Sequence, residues 1–251
     1  MHKLDKSVQI TLIIVATVIA LAVIGIIVFK SNSVSNTFNV NGQATSKVAP
    51  DLITVYFSID TSGATSKEAE DANSAITDKL TDNIVALGFS KEELKTQSFN
   101  IYPEYDYSKS QRLIDYRAST SLKIELSIQQ KDKISDIIDA GTNAGAGISY
   151  INFELTPSLQ QNAKADAIKT ASADAKVKAE ALAQGFNKRL GRLVSVSLDQ
   201  FNYNPWPVYT ASADAGVGVA ESNAKAKSTM SSMTPSNQEV SAYVTAIYKL
   251  I

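Results

Sequence analysis

Residues 114–128, "IDYRASTSLKIELSI", change polarity at almost every step. Ile114, Tyr116, Ala118, Thr120, Leu122, Ile124, Leu126 and Ile128 share one parity; Asp115, Arg117, Ser119, Lys123 and Glu125 share the other. Side chains of a strand alternate between faces, so this run predicts a long strand with one covered and one wet face, the pattern of antiparallel sheet. Shorter runs repeat it. Ile53, Val55, Phe57 and Ile59 oppose Thr54, Tyr56, Ser58 and Asp60, while Phe38, Val40, Gly42 and Ala44 share a face before the turn "KVAPD" (47–51).

The stretch "NIYPEYDY" (100–107) reads as the strand preceding 114–128. Phe99, Ile101, Tyr105 and Tyr107 take the apolar parity; Tyr102, Glu104 and Asp106 take the polar one. Four polar residues, "SKSQ" (108–111), join the two strands into a hairpin. That connection sets Tyr105 opposite Ile114, Glu104 opposite Asp115 and Tyr102 opposite Arg117. Arg117 then reaches Glu104 on the diagonal as a surface ion pair. Pro103 lacks an amide hydrogen and belongs at an edge or a bulge.

Elsewhere the period is helical. Thr65 and Glu68 form a capping box ahead of a stripe of Ala69, Ala72, Ile76, Leu80, Ile84 and Leu87, which Gly88 ends. Ser90 and Glu93 cap a further short turn. A short helix over 131–144 buries Ile134, Ile137 and Ile138. A long one over 158–184 has Ile168, Ala171, Ala175, Ala179 and Leu182 as its stripe. "ISYINFELT", "RLVSVSLDQ" and "EVSAYVTAIYKLI" read as strands. Residues 201–236 have no period and are expected to form a long flexible loop. The fold class is α+β: a mixed or antiparallel sheet of about seven strands packed by three helices, as one domain over residues 31–251.

Residues 7–29 carry no charge and, as a helix at ~1.5 Å per residue, would extend ~34 Å, enough to cross a bilayer core. The run is longer than the apolar core of a signal peptide and lacks a small-x-small cleavage site. It is expected to be a retained transmembrane signal anchor, with a cytoplasmic stub over residues 1–6 and the lipid bilayer as a partner. Lys3 and Lys6 against Lys30 place the amino terminus in the cytoplasm and the folded part outside it, as a single-pass cell-membrane protein.

Composition removes several kinds of chemistry. The chain has no cysteine and one histidine, His2, so neither a thiolate or zinc site nor a histidine triad can be assembled. Its net charge is -1, which offers nothing to a nucleic-acid backbone. No cofactor and no metal site is expected.

Four stretches together resemble the SIMPL-domain family of bacterial cell-envelope proteins: "NGQATSKVAPDLITVYFSI" (41–59), "LGFSKEELKTQSFNIYPEYDY" (87–107), "IDYRASTSLKIEL" (114–126) and "AKVKAEALAQGFNKRLGRLVSVS" (175–197). The closing "VSAYVTAIYKL" also fits. The resemblance implies a periplasmic or surface-exposed α+β domain, with members linked to oxidative-stress defence and others known as periplasmic immunogenic proteins that self-associate. The family brings no catalytic residues. Its members look like secreted proteins with a cleaved signal, whereas this chain keeps an anchor.

Three stretches are candidates for chemistry. Glu104 and Asp106 have a spacing that an acid/base pair of a glycan hydrolase could use, but they lie on the polar face, where a carboxyl gains no raised pKa from burial. "GTNAGAG" (141–147) follows a helix instead of opening one and reads as a helix stop. "FNYNPWPVY" (201–209) holds Tyr203, Trp206 and Tyr209 between prolines. These rings either cap the core through Trp206 or form an interface with another subunit. The resulting expectation is a non-enzymatic, membrane-anchored envelope protein that acts by self-assembly or binding as a homo-oligomer, in envelope or oxidative-stress protection. The alternative is an envelope glycan hydrolase working through Glu104.

Overall fold

A computed structural model describes residues 15–24, 36–107, 112–211 and 218–251. Eight strands form two antiparallel sheets, ordered β3-β4-β2-β5-β7 and β1-β8-β6. In chain order the elements are β1 (Thr37–Val48), β2 (Leu52–Gly63), α1 (Ser66–Ala86), β3 (Leu94–Asp106), β4 (Arg112–Ser127), α2 (Ile134–Ala144) and β5 (Gly147–Glu154). There follow α3 (Pro157–Gly185), β6 (Leu190–Tyr203), β7 (Trp206–Thr210), α4 (Val219–Ser232) and β8 (Gln238–Leu250). The α+β class holds, and among the described residues there are one more strand and more helices than the seven and three expected.

The fold is described by its two compact units. The larger comprises Gln43–Asp174 and Leu198–Val244; the smaller comprises Met1–Gly42, Ala175–Ser197 and Thr245–Ile251. β1, α3, β6 and β8 each pass from one unit to the other.

In the larger unit, the apolar parity of β2 and β4 forms the inner face of the five-stranded sheet. Ile53, Val55, Phe57, Ile59, Leu122, Ile124 and Leu126 are all buried there. α1 covers this face with Leu80 and Ile84, α2 with Ile134, Ile137 and Ile138, and α4 with Ala226 and Met230. The α1 capping box forms as expected: Thr65 accepts from the Glu68 amide, and Glu68 accepts from that of Thr65. Its stripe needs one correction. Ala72 faces solvent and Asn73 takes the buried position, because its side chain finds three partners. Asn73 Nδ2 donates to the Ile59 and Ala118 carbonyls at 3.0 and 3.1 Å, and Asn73 Oδ1 accepts from Thr120 Oγ1 at 2.5 Å.

"GTNAGAG" ends α2 as expected. Gly145, at φ 96°, caps it, its amide donating to Gly141 and Thr142 carbonyls, while the Ala146 amide returns to Gly141. A second cluster of the same unit packs Ala163, Ala167 and Ala171 of α3 against Val240, Ala242 and Val244 of β8.

In the smaller unit Ala175 and Ala179 continue the α3 stripe against Val40 of β1 and Ala246 of β8. The buried face of α3 is thus an alanine every fourth residue. Leu182, expected in this stripe, is exposed. Ile168 is only partly buried, at the margin of the α3–β8 cluster.

Residues 15–24 are helical with exposed apolar side chains. The rest of the uncharged run (7–14 and 25–29), the flanking stub and Lys30 lie outside the described residues. Among the described residues no helix is long and apolar enough to cross a membrane.

The expected loop over 201–236 is corrected. β6 continues to Tyr203, β7 and α4 follow, and only residues 212–217 within it lie outside the described set. α4 escapes a periodicity search because one of its buried positions is polar. Asn223 accepts from the Ile148 amide at 2.8 Å and donates to Thr142 Oγ1 and the Ala146 carbonyl.

Candidate functional site

The β3–β4 hairpin is the first place where exposed chemistry gathers. β2 runs out at Gly63, opposite Tyr116, so residues of β4 before Tyr116 pair with β3 alone. Beyond that point the two strands form an arm with no third strand beside it among the described residues. The register places Glu104 opposite Asp115 and Tyr102 opposite Arg117, as the alternation predicts. A bulge between Glu104 and Tyr105 then sets Tyr105 opposite Leu113 instead of Ile114. Pro103 lies on this edge strand, one residue before the bulge, where its missing donor costs little. The connection 108–111 lies outside the described residues.

The arm overturns the core reading of its tyrosines. Tyr105 is exposed and Tyr107 is 75% exposed, with Tyr102, Leu113 and Ile114 (57%) also open to solvent. Their alternation is that of a half-buried strand, but among the described residues no third strand and no helix covers them. Tyr105 and Tyr107 rings lie 6.4 Å apart and tilted. Arg117 Nε donates to Glu104 Oε2 at 2.5 Å, and the carboxylate holds the guanidinium pKa above its ordinary value. A carboxylate on an exposed strand with a guanidinium on it lacks the dry surroundings that a glycosidase acid needs. Asp115 Oδ1 is buried without a hydrogen-bond partner among the described residues.

A second open edge is β6. Leu193, Val194, Val196 and Leu198 are all exposed although they fall on both parities. Sequence reasoning identified the strand and missed its exposure; apolar residues on both parities normally signal a doubly covered strand.

Of the aromatic trio expected at an interface, Tyr209 is buried, while Tyr203 and Trp206 are half-buried against the cores. The Tyr203 hydroxyl accepts from the Leu155 amide at 2.8 Å, and burial pushes its pKa up. Trp206, in register with Phe153, packs against that ring with centroids 6.2 Å apart. Tyr209 is only 7% exposed, and its hydroxyl bonds the Ser222 carbonyl at 3.0 Å. Pro205 immediately precedes β7, and Pro207 lies within it opposite Asn152 of β5.

The polar parity of the five-stranded sheet carries a bonded network that sequence reasoning had left as a wet face. Tyr56 and Tyr150 stack with centroids 4.0 Å apart, and burial, with Glu154 nearby, pushes the Tyr56 hydroxyl up to about 12. Glu154 accepts from Thr54 Oγ1 and Asn152 Nδ2. Glu125 accepts from Lys123 at 2.7 Å and Lys95 at 2.9 Å, and both ammonium groups hold its carboxyl below the usual range. These groups bond one another and do not converge on a vacant space. Among the described residues no cluster of three or more metal-ligating side chains occurs.

Fold and surface together define an α+β protein whose exposed chemistry lies in open, apolar sheet edges. The chain belongs to the SIMPL family (Protein of unknown function, DUF541), whose profile matches residues 38–248. It is similar to the "Uncharacterized protein YggE" of Escherichia coli K12, 26% identical over 173 residues, 67% of this chain and 68% of that one. It is also similar to the 26 kDa periplasmic immunogenic protein of Brucella melitensis, 29% identical over 168 residues, 63% of this chain and 64% of that one.

Proposed function

We propose that this protein is a membrane-tethered, extracytoplasmic assembly protein that works through contacts between its own copies and not through catalysis. The observation carrying this reading is the pair of open edge strands, β3 and β6, each flanked by exposed apolar side chains. Unpaired strand edges recruit further strands unless charge, proline or a covering element blocks them, and on β3 Pro103 removes one donor only. Two different edges on one chain favour a head-to-tail arrangement, which closes into a ring or extends into a filament. The extracytoplasmic placement is supported by the periplasmic relative from Brucella. The tether is residues 7–29, whose uncharged length suits a bilayer. A part in oxidative-stress protection follows from the family resemblance, and peroxide sensitivity of a deletion strain reads it.

Sedimentation velocity of the detergent-solubilised full chain tests the assembly. The parent should sediment as an oligomer, and Ile114→Lys with Tyr107→Lys, or Val194→Lys with Val196→Lys, should shift it toward monomer. A parent that is monomeric throughout the accessible concentration range, or variants that sediment like the parent, would discard the edges as contacts. Resistance of the chain to alkaline carbonate extraction tests the tether.

A further inference from the structure

The carboxy-terminal end of α3 holds a feature that neither sheet edge explains. The helix closes in a Schellman turn: the Lys188 amide donates to the Ala183 carbonyl and the Asn187 amide to that of Gln184, with Asn187 at φ 54°. This turn fixes Phe186 at the tip, 72% exposed, with Leu182 exposed one turn behind it. Both line a mainly apolar groove of about 660 Å³, together with Ala181 and Gly185 of α3 and Asn39 and Val40 of β1. Exposed Lys188 and Arg189 follow Phe186 after Asn187.

Charge is distributed unevenly. Residues 36–42, 175–197 and 245–251 carry Lys176, Lys178, Lys188, Arg189, Arg192 and Lys249 against Glu180 alone, in a chain whose net charge is -1. A rigidly presented phenylalanine beside paired cations is the chemistry of an interfacial membrane contact. The ring enters the boundary of the acyl region while the cations meet anionic headgroups.

The chain's own length points to the same occupant. Asn39 in the groove wall lies ten residue steps beyond Phe29, the end of the uncharged run. At ~3.5 Å per residue they reach at most ~35 Å. Given the tether proposed above, on which this inference rests, the groove stays close to the bilayer surface. We infer that the Phe186 tip of α3 and its groove form a second membrane contact, docking on an anionic bilayer surface.

The chain has no cysteine, so a single one placed in the full chain takes a fluorophore uniquely. Gln184→Cys puts it beside the tip and Lys67→Cys puts it on α1 as a reference. In vesicles containing phosphatidylglycerol and lipids with a nitroxide near the headgroup, the reporter at 184 should be quenched several-fold more than that at 67. Phe186→Ser with Lys188→Glu and Arg189→Glu should remove most of that difference, as should neutral vesicles. Equal quenching at both positions in carbonate-resistant protein would overturn the contact while leaving the tether standing. Carbonate-released protein that is nonetheless quenched at 184 would overturn the tether and keep the contact. Shielding of 184 in lipid-free detergent that disappears on dilution to monomer would assign the groove to a second copy, and the membrane contact would fall.

Discussion

Arg117 Nε reaches Glu104 Oε2 at 2.5 Å across the β3–β4 arm, on the diagonal between two directly opposed pairs. The contact separates Glu104 from Asp115, which faces it in register, so it offsets a like-charge pair. Both partners are well exposed, and such pairs contribute roughly 0–1 kcal/mol. Glu104→Gln should therefore change the free energy of urea unfolding by less than about 1 kcal/mol and leave oligomer size unaltered. A loss of several kcal/mol would mean that the arm depends on this pair.

Asn73 bonds two carbonyls and one hydroxyl from the interior of α1. Asn73→Ala leaves the Ile59 and Ala118 carbonyls and the Thr120 hydroxyl short of a partner; one such buried group costs about 1–3 kcal/mol. Equilibrium denaturation should show a loss at or above the top of that range. Replacement by Asp should also be costly, because a carboxylate cannot donate to either carbonyl.

Glu125 sets an acid limit. Its pKa is depressed in the folded state by Lys123 and Lys95, so its contribution is present above the ordinary carboxylate pKa and is lost as pH falls through the depressed value. Stability measured from pH 6 down to pH 2 should decline less steeply in Glu125→Gln than in the parent. Identical pH profiles would remove Glu125 from the acid response.

Tyr56 sets an alkaline one. Its folded pKa is raised from 10.0 to about 12, chiefly by burial, so its contribution is intact below pH 10 and is lost as pH rises from there to about 12. In spectrophotometric titration of the folded protein, the parent should show one more tyrosine ionising at high pH than Tyr56→Phe. In other words, the difference between parent and variant should lie near pH 12. A difference centred at pH 10 would show that the ring is freely solvated.

The β2 and β4 alternations were legible because both strands lie inside a sheet with one face covered by helices. The same period in β3 misled, since alternation reports a pattern of residues and not what covers them; at Tyr105 and Tyr107 nothing does. β6 was legible as a strand, but its apolar residues on both parities did not tell that the edge is open. α4 was illegible because Asn223 earns its buried place by hydrogen bonding, which a hydrophobic period does not register. The Glu104–Arg117 diagonal was readable from hairpin register alone. The Phe186 tip was not, because its exposure depends on the Schellman turn after α3.

β8 lies at the centre of its sheet, between β1 and β6, yet it is the last of the described strands to be synthesised. Thr45 meets Ser241, and Asn41 meets Thr245, across about two hundred residues of intervening chain. Closing so long a loop is slow, and neither β1 nor β6 has its sheet partner until the closing segment emerges. The five-stranded sheet has no such dependence, since all its strands precede β8. Folding is thus divided in time, and a chain crossing a membrane as it is made would keep its three-stranded sheet unassembled until β8 had crossed.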